Sequence, residues 1–179
     1  KDEDIKCEGA GIQITSNGLF VLKELGLEEL ATQAGIKPNN LCFFDEDDFK
    51  SIASLEILER LRSRYGRSFI TLHRSFLVKI LFEKVKEKKI HVKFGSRATP
   101  LVEGERKDAC ISYRGKKIKK DLIVVADGVG SFWKKTIFTE IKTRSISQSA
   151  YRFLLSSKKL PTIFSKNNIN LFFGRGRHF

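Results

Sequence analysis

Along residues 17–35 the apolar positions Leu19, Phe20, Leu22, Leu25, Leu27, Leu30 and Ala31 recur at steps of three and four. That spacing predicts one helix with a single buried stripe. Ser16 or Asn17 is placed to cap its start, and Gly26 marks a break before a short second helix. Leu41, Cys42, Phe43 and Phe44 form a short apolar run closed by acidic residues 45–48, as a strand entering a turn would be. Residues 54–65 leave helix and strand open, with the Leu and Arg spacing favouring helix. The clearest unit is 74–88, where Phe76, Leu77, Ile80, Leu81 and Val85 fall on one helix face and charged residues on the other.

The period then changes. Ile90, His91, Val92, Lys93 and Phe94 alternate as in a half-buried strand, and 97–102 and 109–114 read as further strands. Arg114-Gly115-Lys116 supplies the turn into Ile118, so this stretch predicts an antiparallel meander. Residues 121–126 (Asp-Leu-Ile-Val-Val-Ala) are almost continuously apolar, the pattern of a parallel strand buried on both faces, and they end in Asp127-Gly128. Ligands of open α/β sheets bind outside the carboxyl ends of such strands. Residues 128–138 then predict a helix opening with free backbone donors. Residues 150–156 and 169–174 predict strands of a separate sheet. The fold class expected is α/β with added α+β elements: an α/β unit with a meander over residues 1–142, and the start of an antiparallel or mixed sheet over 143–179.

Composition narrows the function classes. The 179 residues are 41% hydrophobic, enough for one domain with a core, and no run approaches the ~20 apolar residues of a membrane span. The charged start is unlike a secretory signal, so the expected location is cytoplasmic. Cys7, Cys42 and Cys110 lie far apart and read as reduced thiols; His73, His91 and His178 are equally scattered, so no metal site is expected. A net charge of +13 favours contact with phosphates and other anions. Its bland reading is stronger. Most of the surplus lies in Lys runs at 84–93 and 116–120, broken by Glu87 and near Glu83 and Asp121, and Phe82 and Phe94 are expected to face a core rather than to interleave with the runs as nucleobase platforms. Nucleic acid is therefore not an expected partner.

Three segments, in order, carry a family likeness. Gly9-Ala10-Gly11-Ile12-Gln13-Ile14-Thr15-Ser16-Asn17-Gly18 is followed by the break at Leu25-Gly26-Leu27; Arg64-Tyr65-Gly66 leads to Leu72-His73-Arg74 and its helix; and an apolar run ends in Asp127-Gly128. Together they resemble the FAD-dependent aromatic-ring monooxygenases, in particular the salicylate-hydroxylase-like branch. Tyr151-Arg152 and residues 174–179 (Gly-Arg-Gly-Arg-His-Phe) extend the likeness. Short glycine strings arise often, so the order carries more weight than any single motif. The resemblance also predicts a G-x-G-x-x-G turn before these segments and a Gly-Asp motif after them, which makes the chain an internal fragment of such an enzyme. Gly9-Ala10-Gly11 is not that turn, because Ile14 stands where the third glycine belongs. Without that opening unit the strand at 121–126 would lack neighbours.

The resemblance makes residues 1–142 a partial FAD/NAD(P)-binding domain and 143–179 the start of a substrate-binding sheet, and implies an enzyme that binds FAD, takes electrons from NADH or NADPH and uses oxygen to hydroxylate an aromatic acid such as salicylate. It assigns cofactor contact to Arg74, Asp127, Gly128, Gly11, Ile12 and Gln13. Arg74 has a physical case of its own: an arginine at a helix N-terminus opposes the macrodipole, which disfavours a purely structural choice there. Asp127 equally suits a turn or cap, and Gly11 to Gln13 equally suit a loop of unusual backbone angles. Tyr151 is the single candidate for a catalytic or substrate-facing hydroxyl and Arg152 for a substrate carboxylate, against the plainer reading of both as strand residues. His178 reads as a structural histidine. Two rivals stay open: a ubiquinone-pathway flavoprotein hydroxylase, and a non-catalytic remnant or binding protein without FAD. A complementary fragment or a second copy is the expected macromolecular partner, if there is one.

Overall fold

The computed structural model describes residues 9–100, 110–137, 148–152, 154–161, 164 and 167–179. They fall into two compact units, one holding the residues through Ile90 and from Tyr151 onward, the other His91–Ala150.

The first unit has a helical layer on a two-stranded ribbon. Strand β1 (Gly11–Ile14) leads into α1 (Ser16–Glu24) and α2 (Glu28–Ala34), and β4 (Ile70–His73) leads into α4 (Arg74–Glu87). β1 and β4 pair antiparallel, Gly11 opposite His73 and Ile14 opposite Ile70. Ile14, Leu19, Leu22, Leu27, Ala31, Ile70, Leu72 and Ile80 form one core, with Ile12, Phe76, Leu77 and Leu81 packed against it. The predicted stripes are buried in part: Leu19, Leu22, Leu27, Ala31 and Ile80 lie in the core, while Phe20, Leu25 and Leu30 of the first stripe stay exposed. The break at Gly26 also forms as expected. Gly26 takes φ +69°, its N–H bonds to the Lys23 carbonyl and that of Leu27 to the Leu22 carbonyl, the double bond of a helix closed by a left-handed glycine. The cap differs: Thr15 occupies the N-cap position, while the Ser16 hydroxyl donates instead to the Arg67 carbonyl at 2.9 Å.

A mixed sheet completes this unit in the order β3-β2-β8-β9, made of β2 (Asn40–Asp45), β3 (Ser51–Glu56), β8 (Asn168–Gly174) and β9 (Arg177–His178). β2 runs parallel to β8 and every other pairing is antiparallel. Phe44 stacks on Phe172 with ring centroids 5.0 Å apart, and Phe49, Phe164 and Phe179 surround the buried Phe172. The acidic turn after β2 forms as predicted, with the Asp45 carboxylate accepting the Asp47 N–H at 2.8 Å. Residues left open at 54–65 divide: the first belong to β3, the rest to α3 (Leu58–Tyr65), which Gly66 ends at φ +69°.

In the second unit, β5 (Thr99–Pro100), β6 (Cys110–Tyr113) and β7 (Lys116–Lys119) make an antiparallel sheet. Arg114 and Gly115 both have positive φ between the paired Tyr113 and Lys116, the geometry of a two-residue hairpin turn that follows the twist of its strands. Helix α5 (Phe132–Ile137) is shorter than predicted among the described residues.

Three predicted strands are corrected. Residues 90–94 form none, because the Ile90 N–H already bonds the Val85 carbonyl and the Lys89 N–H that of Lys86, with Lys89 at φ +53° closing α4. That leaves Ile90, Val92 and Phe94 exposed, so Phe94 is not core-facing. Residues 121–126 form no strand among the described residues, and Leu122 and Val124 are 77% and 79% exposed rather than buried on two faces. With no neighbouring strand there to accept its backbone bonds, apolar composition alone makes no sheet. The described part of 150–156 likewise contains no strand. No described helix is long and apolar enough to cross a membrane.

Candidate functional site

The site is built from the junction where β4 turns into α4. The register that sets Gly11 beside His73 also lets the Arg74 N–H donate to the Ala10 carbonyl at 3.1 Å, tying the segment before β1 to the first residue of the helix. His73 is the N-cap: its side chain accepts the Ser75 N–H at Nδ1, 3.2 Å away, and also meets the Ser75 hydroxyl. Gly9 sits at φ +141°, and a Cβ there would stand 3.0 Å from Arg74 Cδ and 3.3 Å from its Cβ. The bare glycine therefore leaves room for the alkyl stem of Arg74 to cross the backbone.

This packing opens a cleft of about 440 Å³ lined by Gly9, Ala10, Gly11, Arg74, Arg152 and Leu154. Both arginines are exposed, and among the described residues neither has a carboxylate partner. The N-terminus of a fourteen-residue helix adds its partial positive charge at the same place. The arrangement suits an anion held by forked guanidinium donors against a close-approaching backbone.

Of the residues singled out in the sequence, Gly11, Arg74 and Arg152 meet in this cleft. Ile12 packs against the core and Gln13 points from the opposite, exposed face of β1, paired with Thr71; neither lines the cleft. Tyr151 is 89% exposed and also lies outside it. The His178 ring stacks on Phe173, with centroids 6.2 Å apart, in keeping with a structural histidine. Nearby, Gly174 has no Cβ to obstruct the Glu46 carboxylate, which Arg177 holds through Nε at 2.9 and 3.0 Å.

Asp127 and Gly128 belong to the other unit and border a separate concavity of about 370 Å³ with Val125, Ser131 and Trp133. The Ser131 hydroxyl, followed by backbone N–H groups including those of Trp133 and Phe132, holds the Asp127 carboxyl below the usual carboxylate range against the opposing pull of burial. Ser131, the residue before α5, accepts the Lys134 N–H on its hydroxyl at 2.9 Å as an N-cap does, and Gly128 takes φ +84° in the turn that leads to it.

The local cue to the role of His73 is a hydrogen-bond acceptor one residue before a helical stripe, with a serine two residues on. Arg67 carries no such local cue. That guanidinium lies 5.2 Å from the Phe20 ring centroid and 3.0 Å from Glu28, and it lines a second cavity of about 500 Å³ with Phe20, Leu61 and Tyr65. Their separation along the chain hides that grouping. In the first Lys run, Lys84 pairs with Glu87 at 2.8 Å and Lys86 with Glu83 at 3.0 Å.

No protein-family model matches the chain. Over 171 residues it is 26% identical to 3-hydroxybenzoate 6-hydroxylase 1 of Aquipseudomonas alcaligenes, which covers 95% of this chain and 43% of that protein. It is 30% identical over 153 residues to the FAD-dependent monooxygenase dpmaE of Metarhizium anisopliae, covering 81% of this chain and 30% of that one. Among solved structures, 2-methyl-3-hydroxypyridine-5-carboxylic acid oxygenase in its tetrameric form superposes with a TM-score of 0.61 at 26% identity, over 77% of this chain and 34% of the other. Klebsiella pneumoniae HpxO, solved with FAD and uric acid, shares the fold at a TM-score of 0.56 and 21% identity, over 71% and 31%. The homologues of this chain are FAD-dependent aromatic hydroxylases and monooxygenases, and it spans about two-fifths or less of the length of those it matches.

Proposed function

We propose that this chain forms part of a flavin-dependent monooxygenase that hydroxylates an aromatic acid of the salicylate or hydroxybenzoate kind with NADH or NADPH and oxygen, in the cytoplasm. One observation carries the reading: two arginines without carboxylate partners among the described residues line one cleft against a glycine-containing backbone, in a chain homologous to FAD-dependent hydroxylases.

The cleft fits an anionic portion of FAD. Arg74 would hold it through its guanidinium, the backbone of Gly9 to Gly11 would allow close approach, and Arg152 would add a second positive group, either for the same cofactor or for a substrate carboxylate. When bound, the flavin supplies the redox chemistry with oxygen, which accords with a chain that relies on positioning and charge. The assignments of Asp127 and Gly128, of Ile12 and Gln13, and of Tyr151 to cofactor or substrate belong to the same proposal, as does the division at residues 142 and 143. Asp127 has the weaker case, since Ser131 and nearby backbone donors already act on its carboxylate. A complementary fragment or a second copy would complete the enzyme.

Desalting the purified chain after FAD addition and reading the visible absorbance tests this. Stoichiometric flavin, lost in Arg74→Ala by about tenfold or more in affinity as expected for a charged hydrogen-bond donor, supports the reading. A folded chain from which flavin elutes freely favours the rival of a remnant or binding protein without FAD.

A further inference from the structure

We propose that His73 is a positioning residue that caps α4 without adding charge and thereby directs Arg74 into the cleft, a role that rests on the flavin reading above. The hydrogen bond from the Ser75 N–H at 3.2 Å ends on Nδ1, so this nitrogen presents its lone pair and the ring acts there as an acceptor. The Ser75 hydroxyl reaches the same nitrogen. Arg74 lies between the two partners of this bond, as the first residue of the helix, and its own N–H is taken by Ala10. Fixing residues 73 and 75 leaves the Arg74 backbone one conformation, from which its stem passes Gly9 toward the cleft.

The choice of side chain follows from charge. Asp, Asn and Ser are the stronger N-caps. An aspartate beside Arg74 would put a negative charge next to a cleft formed by two arginines and offer Arg74 a competing partner. A neutral imidazole satisfies the same N–H and leaves the field intact. The capping acceptor therefore serves both the helix and the ligand.

The test compares the chain with His73→Ala, His73→Asn and His73→Asp, reading FAD affinity by flavin fluorescence, Ser75 amide exchange, and relaxation of the Arg74 Nε–H signal by NMR. His73→Ala is expected to bind FAD about fivefold more weakly, on the scale of a lost cap, with faster Ser75 exchange and a more mobile Arg74. His73→Asn is expected to restore all three. His73→Asp should restore Ser75 protection yet bind FAD more weakly than His73→Asn. Unchanged affinity and Arg74 relaxation in His73→Ala, or equal affinity in the Asp and Asn variants, would overturn the proposal. If the unsubstituted chain holds no FAD, the flavin reading fails by itself; Arg74 relaxation in the Ala and Asn variants still decides whether His73 positions that arginine.

Discussion

Residues 70–73 and residues 121–126 are both short runs rich in β-branched and aliphatic side chains, and they end in opposite environments. In the first, Ile70 is fully buried and Leu72 nearly so, because β1 supplies a pairing edge and three helices close over the inward side chains. In the second, Leu122 and Val124 remain largely exposed and no described strand lies alongside. The second run is the more apolar of the two in sequence, yet it makes the lesser contribution to a core. Hydrophobicity supplies the free energy of burial only where another element is present to receive the side chains.

The largest effect expected from this contrast is at Ile70. Ile70→Ala should cost about 2–5 kcal/mol of unfolding free energy, the range for truncating a fully buried aliphatic side chain, read as a fall in the urea midpoint. A loss under ~1 kcal/mol would mean that the ribbon core is far looser than its burial implies.

Gly174→Ala should be intermediate, on the order of 1–2 kcal/mol. The added methyl would stand 1.8 Å from the Glu46 carboxyl carbon and force that side chain off Arg177. Amide exchange at Phe173 and His178, whose strands pair there, reports whether the β8–β9 edge loosens. Unaltered exchange would show that Glu46 can swing aside without cost.

Val124→Asp should change stability by no more than ~0.5 kcal/mol, the usual scale for an exposed site, while raising solubility by placing charge on an apolar run. A loss of several kcal/mol by the same urea titration would break the comparison, since it would mean that this segment is covered after all.

The smallest effect is in the pH dependence at the end of that run. Asp127 has its carboxyl pKa lowered by Ser131 and nearby backbone donors, so its contribution is present above the ordinary value of about 3.9 and is lost as pH falls through the lowered one. Asp127→Asn should flatten the acid side of the stability curve of this unit and leave the profile near neutrality unchanged in shape. An acid limb identical to that of the unsubstituted chain would show that Ser131 and those donors do not stabilise the carboxylate.

Much of the local structure was legible in the chain itself. The stripes of α1 and α4, the break at Gly26, the strand before the acidic turn, the hairpin at Arg114-Gly115 and strand β8 depend on periodicity and on residues that tolerate or require particular backbone angles, all short-range properties. The place of Arg74 at the start of α4 was legible for the same reason. The order of motifs also pointed to the family in which the homologues lie.

Tertiary structure decided which of those residues meet. Arg152, far along the chain from Arg74, enters the same cleft, while its neighbour Tyr151 stays in solvent. β8 crosses back to lie parallel to β2, a pairing between residues more than a hundred positions apart that no local pattern encodes. Periodicity at 90–94 and apolar character at 121–126 named strands that did not form, because a strand requires a partner's backbone as well as its own side chains. The sequence by itself determined what each segment could bury and how its backbone could turn; only the tertiary structure determined whether a complementary surface was there.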